Sequence, residues 1–160
     1  MKIKVEKKTI LIIIFVFALF GIVGVKYFWE KESLSQIEEK PKITVFYSPN
    51  CGCCHEYIAY LKRNGFKVKE EATQDILSIK EKYQIPPEME SCHTALVENY
   101  FIEGHIPVEI IKKLLQEKPE IDGIALPGMP QGAPGMSGFK TGKLTIYSIS
   151  KGIPFEFATF

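Results

Sequence analysis

Cys51-Gly52-Cys53-Cys54-His55 puts three thiols and an imidazole into one short run, and Cys92-His93 supplies a second thiol and imidazole pair further along the chain. Thiolate is both a nucleophile and a metal ligand, so such a cluster has two chemistries open to it. Cys51 and Cys54 form a C-x-x-C pair that can close a disulfide or grip a metal, while Cys51 and Cys53 form a C-x-C pair suited to sulfur ligation by a loop. Gly52 lets the backbone between them bend without a Cβ penalty. His55 follows Cys51 by four residues, which brings the two side chains to one face if a helix includes both. Should the two segments meet, four sulfurs and up to two imidazoles converge, more than one disulfide exchange needs. Soft thiolates select Cu(I), Zn or iron-sulfur clusters, and imidazole also suits copper and zinc.

Plainer uses of the same residues stand beside this one. Four cysteines can close two structural disulfides, although vicinal Cys53 and Cys54 would bond to each other only with strain. An oxidoreductase would use Cys51 as the attacking thiolate and Cys54 to resolve the mixed disulfide. A structural zinc site would draw four of these groups into a closed tetrahedron. His105, just ahead of Pro107, reads as a capping or packing residue. Met129 and Met136 flank a Gly/Pro loop; thioether is a soft Cu(I) ligand, but methionine more often fills a core. No Gly-rich phosphate loop, H-E-x-x-H or G-x-S-x-G signature is present. Asp and Glu fall singly or in charged runs that read as solvated faces.

The elements that must hold the cysteines can be read from pattern. Ile43 to Tyr47 is a β-branched and aromatic run before the turn-forming Ser48-Pro49-Asn50, which predicts a buried strand. Tyr57, Ile58 and Leu61 recur at helical spacing after Cys54, Lys62 and Arg63 suit a last turn, and Asn64-Gly65 is a stop signal. The cysteines therefore open a helix, where unpaired N–H groups and the positive end of the macrodipole favour thiolate. Phe66 to Lys69 predicts a second strand. Thr73 is expected to cap a helix whose Ile76, Ile79 and Tyr83 share a face. A hairpin is expected from Thr94–Val97 and Tyr100–Ile102 around Glu98-Asn99. Pro107 starts a helix carrying Val108, Ile111, Leu114 and Leu115. Four glycines and three prolines in PGMPQGAPGMSG exclude a regular element there, and Leu144–Ser150 with Pro154–Phe160 predicts a closing hairpin turned at Lys151-Gly152. Early alternation of strand and helix with hairpins later predicts an α/β mixed sheet flanked by helices.

Length and charge bound the rest. The chain has 160 residues and a net charge of +1. Lys2, Lys4, Lys7 and Lys8 against Glu6 supply +3, leaving −2 for everything after residue 8. That balance argues against nucleic-acid binding, which needs a cationic face. Ile10 to Val25 carries no charge, and with Lys26-Tyr27-Phe28-Trp29 it is long enough to span a bilayer, with an aromatic belt at its far end. The lysines before it predict a cytoplasmic amino terminus and place the remainder outside the cytoplasm. A cleaved signal peptide would deliver the domain to the same compartment, but the small-residue cleavage pattern is poor. The expected organisation is a membrane anchor or signal segment at 1–29, a charged linker at 30–41 and one folded domain at 42–160.

The runs VFYSPNCGCCHEYIAYLKRNGF, PPEMESCHTALVENYFIEGHIP and PGMPQGAPGM resemble the CopG-like family of periplasmic metal-binding proteins associated with copper resistance. The likeness is strong over about residues 42 to 136, where three ordered motifs carry it, and weak beyond. It implies a thioredoxin-like fold, and copper held by Cys51, Cys53, Cys54, Cys92 and His93, with His55 as a further candidate. Ordinary thioredoxins place a cis-proline ahead of the strand facing the active site, and Ser91-Cys92-His93-Thr94 has none, which counts against a general dithiol oxidoreductase. The expectation is a membrane-anchored, extracytoplasmic Cu(I)-binding protein whose partners are copper ions and copper-transport or redox proteins. Zinc is the alternative metal, and exchange through Cys51 and Cys54 the alternative activity.

Overall fold

The structure, a computed structural model, describes residues 40–140 and 142–160. The expected anchor at 10–29 and the linker up to residue 39 lie outside them. Among the described residues no helix is long and apolar enough to cross a membrane.

Strand β1 (Lys42–Tyr47) buries Ile43, Val45 and Tyr47, the period-two pattern of a strand with one face on the core. After the turn at Pro49-Asn50 the chain enters helix α1 (Gly52–Arg63), which buries Cys54, Tyr57, Ile58 and Leu61. Gly65, at φ 93°, ends the helix in a backbone conformation that other residues rarely adopt. Strand β2 (Lys67–Ala72) returns parallel to β1, a pairing that requires a crossover such as α1. It begins one residue later than expected and runs further, while Phe66 is buried ahead of it.

Helix α2 (Ile76–Lys82) departs from the sequence expectation in two ways. Its cap is Asp75 rather than Thr73: the Asp75 carboxylate accepts from the Ser78 N–H at 3.1 Å, and the Thr73 hydroxyl accepts from the Asp75 N–H at 3.0 Å. Asp75 lies where its side chain reaches an orphan donor of the first turn, and Thr73 is too far back. Ile76, Ile79 and Tyr83 are only half-buried; the buried side chain of this helix is Lys80.

A short 3-10 turn at Pro87–Met89 leads to the hairpin of β3 (His93–Val97) and β4 (Tyr100–Glu103), turned at Glu98-Asn99. Pro107 caps helix α3 (Val108–Glu117), which buries Val108, Ile110, Ile111 and Leu114. Strand β5 (Gly123–Ala125) lies parallel to β4. Strands β6 (Thr145–Ser150) and β7 (Ile153–Thr159) form the closing hairpin through Lys151 and Gly152, whose φ values of 51° and 76° suit a tight two-residue turn. The result is a mixed α/β fold with one seven-stranded sheet in the order β2-β1-β3-β4-β5-β6-β7. Pro154 sits in an edge strand, where a missing N–H costs no ladder bond.

One register matters most for function. β1 and β3 are antiparallel with Tyr47 opposite His93. The end of β1 therefore lies beside the start of β3, and the loop leaving β1 toward Cys51 lies beside the residue that precedes His93.

Candidate metal centre

Cys51 is the N-cap of α1, a position usually taken by a side chain whose oxygen accepts from the first turn, and here no side chain does so. The three sulfurs of the first motif thus sit around a helix end with free N–H groups and positive dipole. Cys51 and Cys54 are joined as a disulfide, and Cys53 and Cys92 are free and half-buried. Cys53 Sγ lies 3.5 Å from Cys51 Sγ and 3.6 Å from Cys92 Sγ. All four sulfurs fall within 4.8 Å of one another. The antiparallel pairing of β1 with β3 is what closes the gap between the two motifs.

Cys92 also belongs to a second group. His93 Nδ1 lies 3.3 Å and His105 Nε2 3.1 Å from Cys92 Sγ, and these three ligand atoms again fall within 4.8 Å of one another. His105 Nδ1 is 2.6 Å from the Pro134 carbonyl, so that nitrogen carries the proton and Nε2 presents its lone pair to Cys92. Donation from the far ring nitrogen to a backbone carbonyl is the usual way a ligating histidine is oriented. His93 is fully buried, and its Nε2 has no hydrogen-bond partner among the described residues. Its ring packs against Tyr57 at 4.6 Å and His105 at 4.9 Å between centroids. The Tyr57 hydroxyl donates to the Ile106 carbonyl at 2.8 Å and locks that wall.

Burial sets the protonation states. It pushes the His93 and His105 imidazoles below their ordinary range, for His93 with help from the charges of His105 and Lys80, so both rings are neutral. Burial, and then the hydrogen bond and charge of Cys53, push the Cys92 thiol up to about 12. At neutral pH it holds its proton until something displaces it.

Behind the Cys92 loop lies a buried polar network. Glu103, fully buried at the end of β4, pairs with the Lys80 ammonium and accepts from the Ser91 N–H and the Thr94 hydroxyl, each at 2.6 Å. Burial raises the Glu103 carboxyl against the opposing pull of Lys80, Thr94 and Ser91. The expectation that every acid sits on a solvated face therefore fails at Glu103, because Lys80 from α2 supplies its counter-charge. Next to it, Gly104 has φ 79°, and a Cβ there would lie 2.6 Å from the Leu126 carbonyl oxygen and 2.8 Å from Ser91 Cβ. Gly104→Ala is expected to lower unfolding free energy by about 2–3 kcal/mol, read from urea melts, since it combines backbone strain with a steric overlap.

Of the residues expected as ligands, Cys51, Cys53, Cys54 and Cys92 fall in one group, and His93 joins only Cys92 of them, in the second group. His55 is exposed, with its ring edge against Tyr47 at 5.1 Å, and belongs to neither group. His105, read from sequence as capping or packing, instead aims a nitrogen at Cys92. Its signal was the run Glu103-Gly104-His105 at the end of a strand that a hairpin must return to the start of β3.

A solved structure of copper resistance protein copG, form 2, is similar over 76% of this chain and 99% of its own, with 36% identity and a TM-score of 0.71. The chain belongs to the CopG family. Form 1 of the same protein is similar to this CopG-family chain at 36% identity and TM-score 0.70, covering 76% of the one and 98% of the other. A family described as protein of unknown function, DUF411, matches residues 89–136, a span holding Cys92, His93, His105, Met129 and Met136. No curated protein sequence matches the chain.

Proposed function

We propose that this CopG-family protein binds Cu(I) on Cys51, Cys53, Cys54 and Cys92 once the Cys51–Cys54 disulfide is reduced, with His93 and His105 completing the site. The observation that carries this reading is the approach of Cys53 and Cys92 to 3.6 Å, which joins two motifs far apart in sequence into one group of four sulfurs. Similarity to solved structures of a copper resistance protein supports copper as the metal. Four soft sulfurs around one small space favour Cu(I) over hard cations. The two neutral imidazoles on the Cys92 side add borderline ligands without adding charge. The order β2-β1-β3-β4, with β3 alone reversed among these four, supports a thioredoxin-like reading of the domain from residue 42 onward. The apolar run at 10–29 and the lysines before it support an anchor that holds the domain on the extracytoplasmic face of the membrane.

Copper uptake must displace thiol protons, that of Cys92 among them, so binding weakens as pH falls. The reduced full chain is expected to bind Cu(I) in the presence of a competing chelator far more tightly than a simple dithiol does, with proton release measured in weakly buffered solution. Affinity no better than that of a dithiol would reject the proposal. Folding that depends on Zn(II), with no preference for Cu(I), would assign the cluster to a structural zinc site instead.

The disulfide favours a second reading. Reduced Cys51, at the helix end, attacks a substrate disulfide and releases one substrate thiol. Cys54 then displaces the second thiol, leaving Cys51–Cys54 oxidised and the substrate reduced. Sulfurs paired in a disulfide are not ligands, so the two activities alternate on one site.

A further inference from the structure

The irregular segment between Leu126 and Leu144 is pinned to both walls of the cluster. Ser91 Oγ donates to the Gly128 carbonyl, Gly128 N–H donates to the Glu90 carbonyl at 3.1 Å, and His105 Nδ1 donates to the Pro134 carbonyl at 2.6 Å. Gly135, at φ 78°, presses on the first half of α1 so closely that a Cβ would lie 2.7 Å from the Tyr57 backbone nitrogen. The next residue, Met136, is therefore held beside the helix start. With Cys53, Glu56, Gly135 and Ser137 it lines an open cavity of about 460 Å³.

Of the four cluster sulfurs, only Cys53 lines this cavity. A metal ion arriving by this mouth meets Cys53 before the buried Cys54. Met136 is half-buried: it packs against the edge of the core and also lines this opening. Thioether is soft, neutral and carries no proton, so it takes Cu(I) without competing with H⁺ and discriminates against Zn(II). We propose that Met136 and Cys53 form an entry site, at which Cu(I) binds the thioether first and then passes to the thiolates. This rests on the cluster being a Cu(I) site. Transfer is ligand exchange with no change of oxidation state: the Cu–thioether bond breaks as a Cu–thiolate bond to Cys53 forms, and the Cys53 proton goes to solvent. Cys92, 3.6 Å beyond, receives the ion next.

The test follows Cu(I) transfer from its bicinchoninate complex to the reduced full chain by stopped flow. Met136→Leu is expected to slow loading about tenfold while end-point affinity changes by less than about threefold; Met129→Leu loads as the parent does. In a second measurement, on protein with [methyl-13C]methionine and Cys53→Ser, Ag(I) below one equivalent shifts the Met136 methyl resonance and Zn(II) does not. An unchanged loading rate in Met136→Leu, an equal loss of rate and affinity, or a Met136 methyl unmoved by Ag(I) overturns the entry site while leaving the copper cluster standing. Absence of Cu(I) uptake by the parent protein overturns both.

Discussion

Cys92→Ala is expected to weaken Cu(I) binding by a factor of about 10²–10³. Structural zinc sites hold their metal with about 10–16 kcal/mol, and on that scale one sulfur among four carries about 2.5–4 kcal/mol. Cys92 exceeds an average share in one respect, since it is the only sulfur shared between the four-cysteine group and the Cys92-His93-His105 group. Its removal strips the first group to one short helical motif and leaves the two imidazoles without their thiolate. Competition titration with a chromophoric Cu(I) chelator measures the loss, and the same variant assayed for disulfide reduction separates the two readings of the site. Weakened copper binding with reductase turnover intact assigns Cys92 to ligation. Cu(I) affinity unchanged in Cys92→Ala would mean that the second motif takes no part in binding.

The second large effect is on stability. Lys80 is 2% exposed and Glu103 0%, and among the described residues each is the other's only opposite charge in that network. Glu103→Leu is expected to cost about 3–5 kcal/mol, because it strands an ammonium ion in the core and frees the Ser91 N–H and Thr94 hydroxyl from their acceptor. Removing both charges is a different matter. Lys80→Met with Glu103→Leu is expected to recover most of that loss, since neither ion then needs a partner. Chemical denaturation of the reduced protein, without metal, measures both variants against the parent. Equal destabilisation in the double variant and in Glu103→Leu would show that the acid acts through its bonds to Ser91 and Thr94 alone. In that case the double variant would also loosen the Cys92 loop, and Cu(I) affinity would fall with stability.

The cluster's first half was legible because its determinants are local. A β-branched run, a turn sequence and a helical pattern surround Cys51 to Cys54, and each depends on residues within a few positions. The closing hairpin at Lys151-Gly152 was legible for the same reason. The Asp75 cap was missed because Thr73 and Asp75 both belong to the types that cap, and only the path of the backbone chose between them. His55 stands apart from both groups: helical spacing brings it near Cys51 only if both lie inside the helix, whereas Cys51 precedes it as the cap.

Glu103, Lys80 and His105 show a harder limit. A lysine in a helix and a glutamate closing an apolar strand each look solvated when read alone, since a single buried charge is prohibitively costly. Burial becomes tolerable only when the two meet, and their meeting depends on α2 packing against β3 and β1, which brings Lys80 to Glu103 at the end of β4. Likewise, residue types and spacing determined that this chain carries a thiol-rich helix start and a second thiol-imidazole pair. Only the tertiary structure decided that Tyr47 faces His93 across β1 and β3, which sulfurs converge, and which histidine nitrogen points at them. Strand register is chosen by the burial of whole faces across the sheet, a sum over distant residues that no local pattern contains.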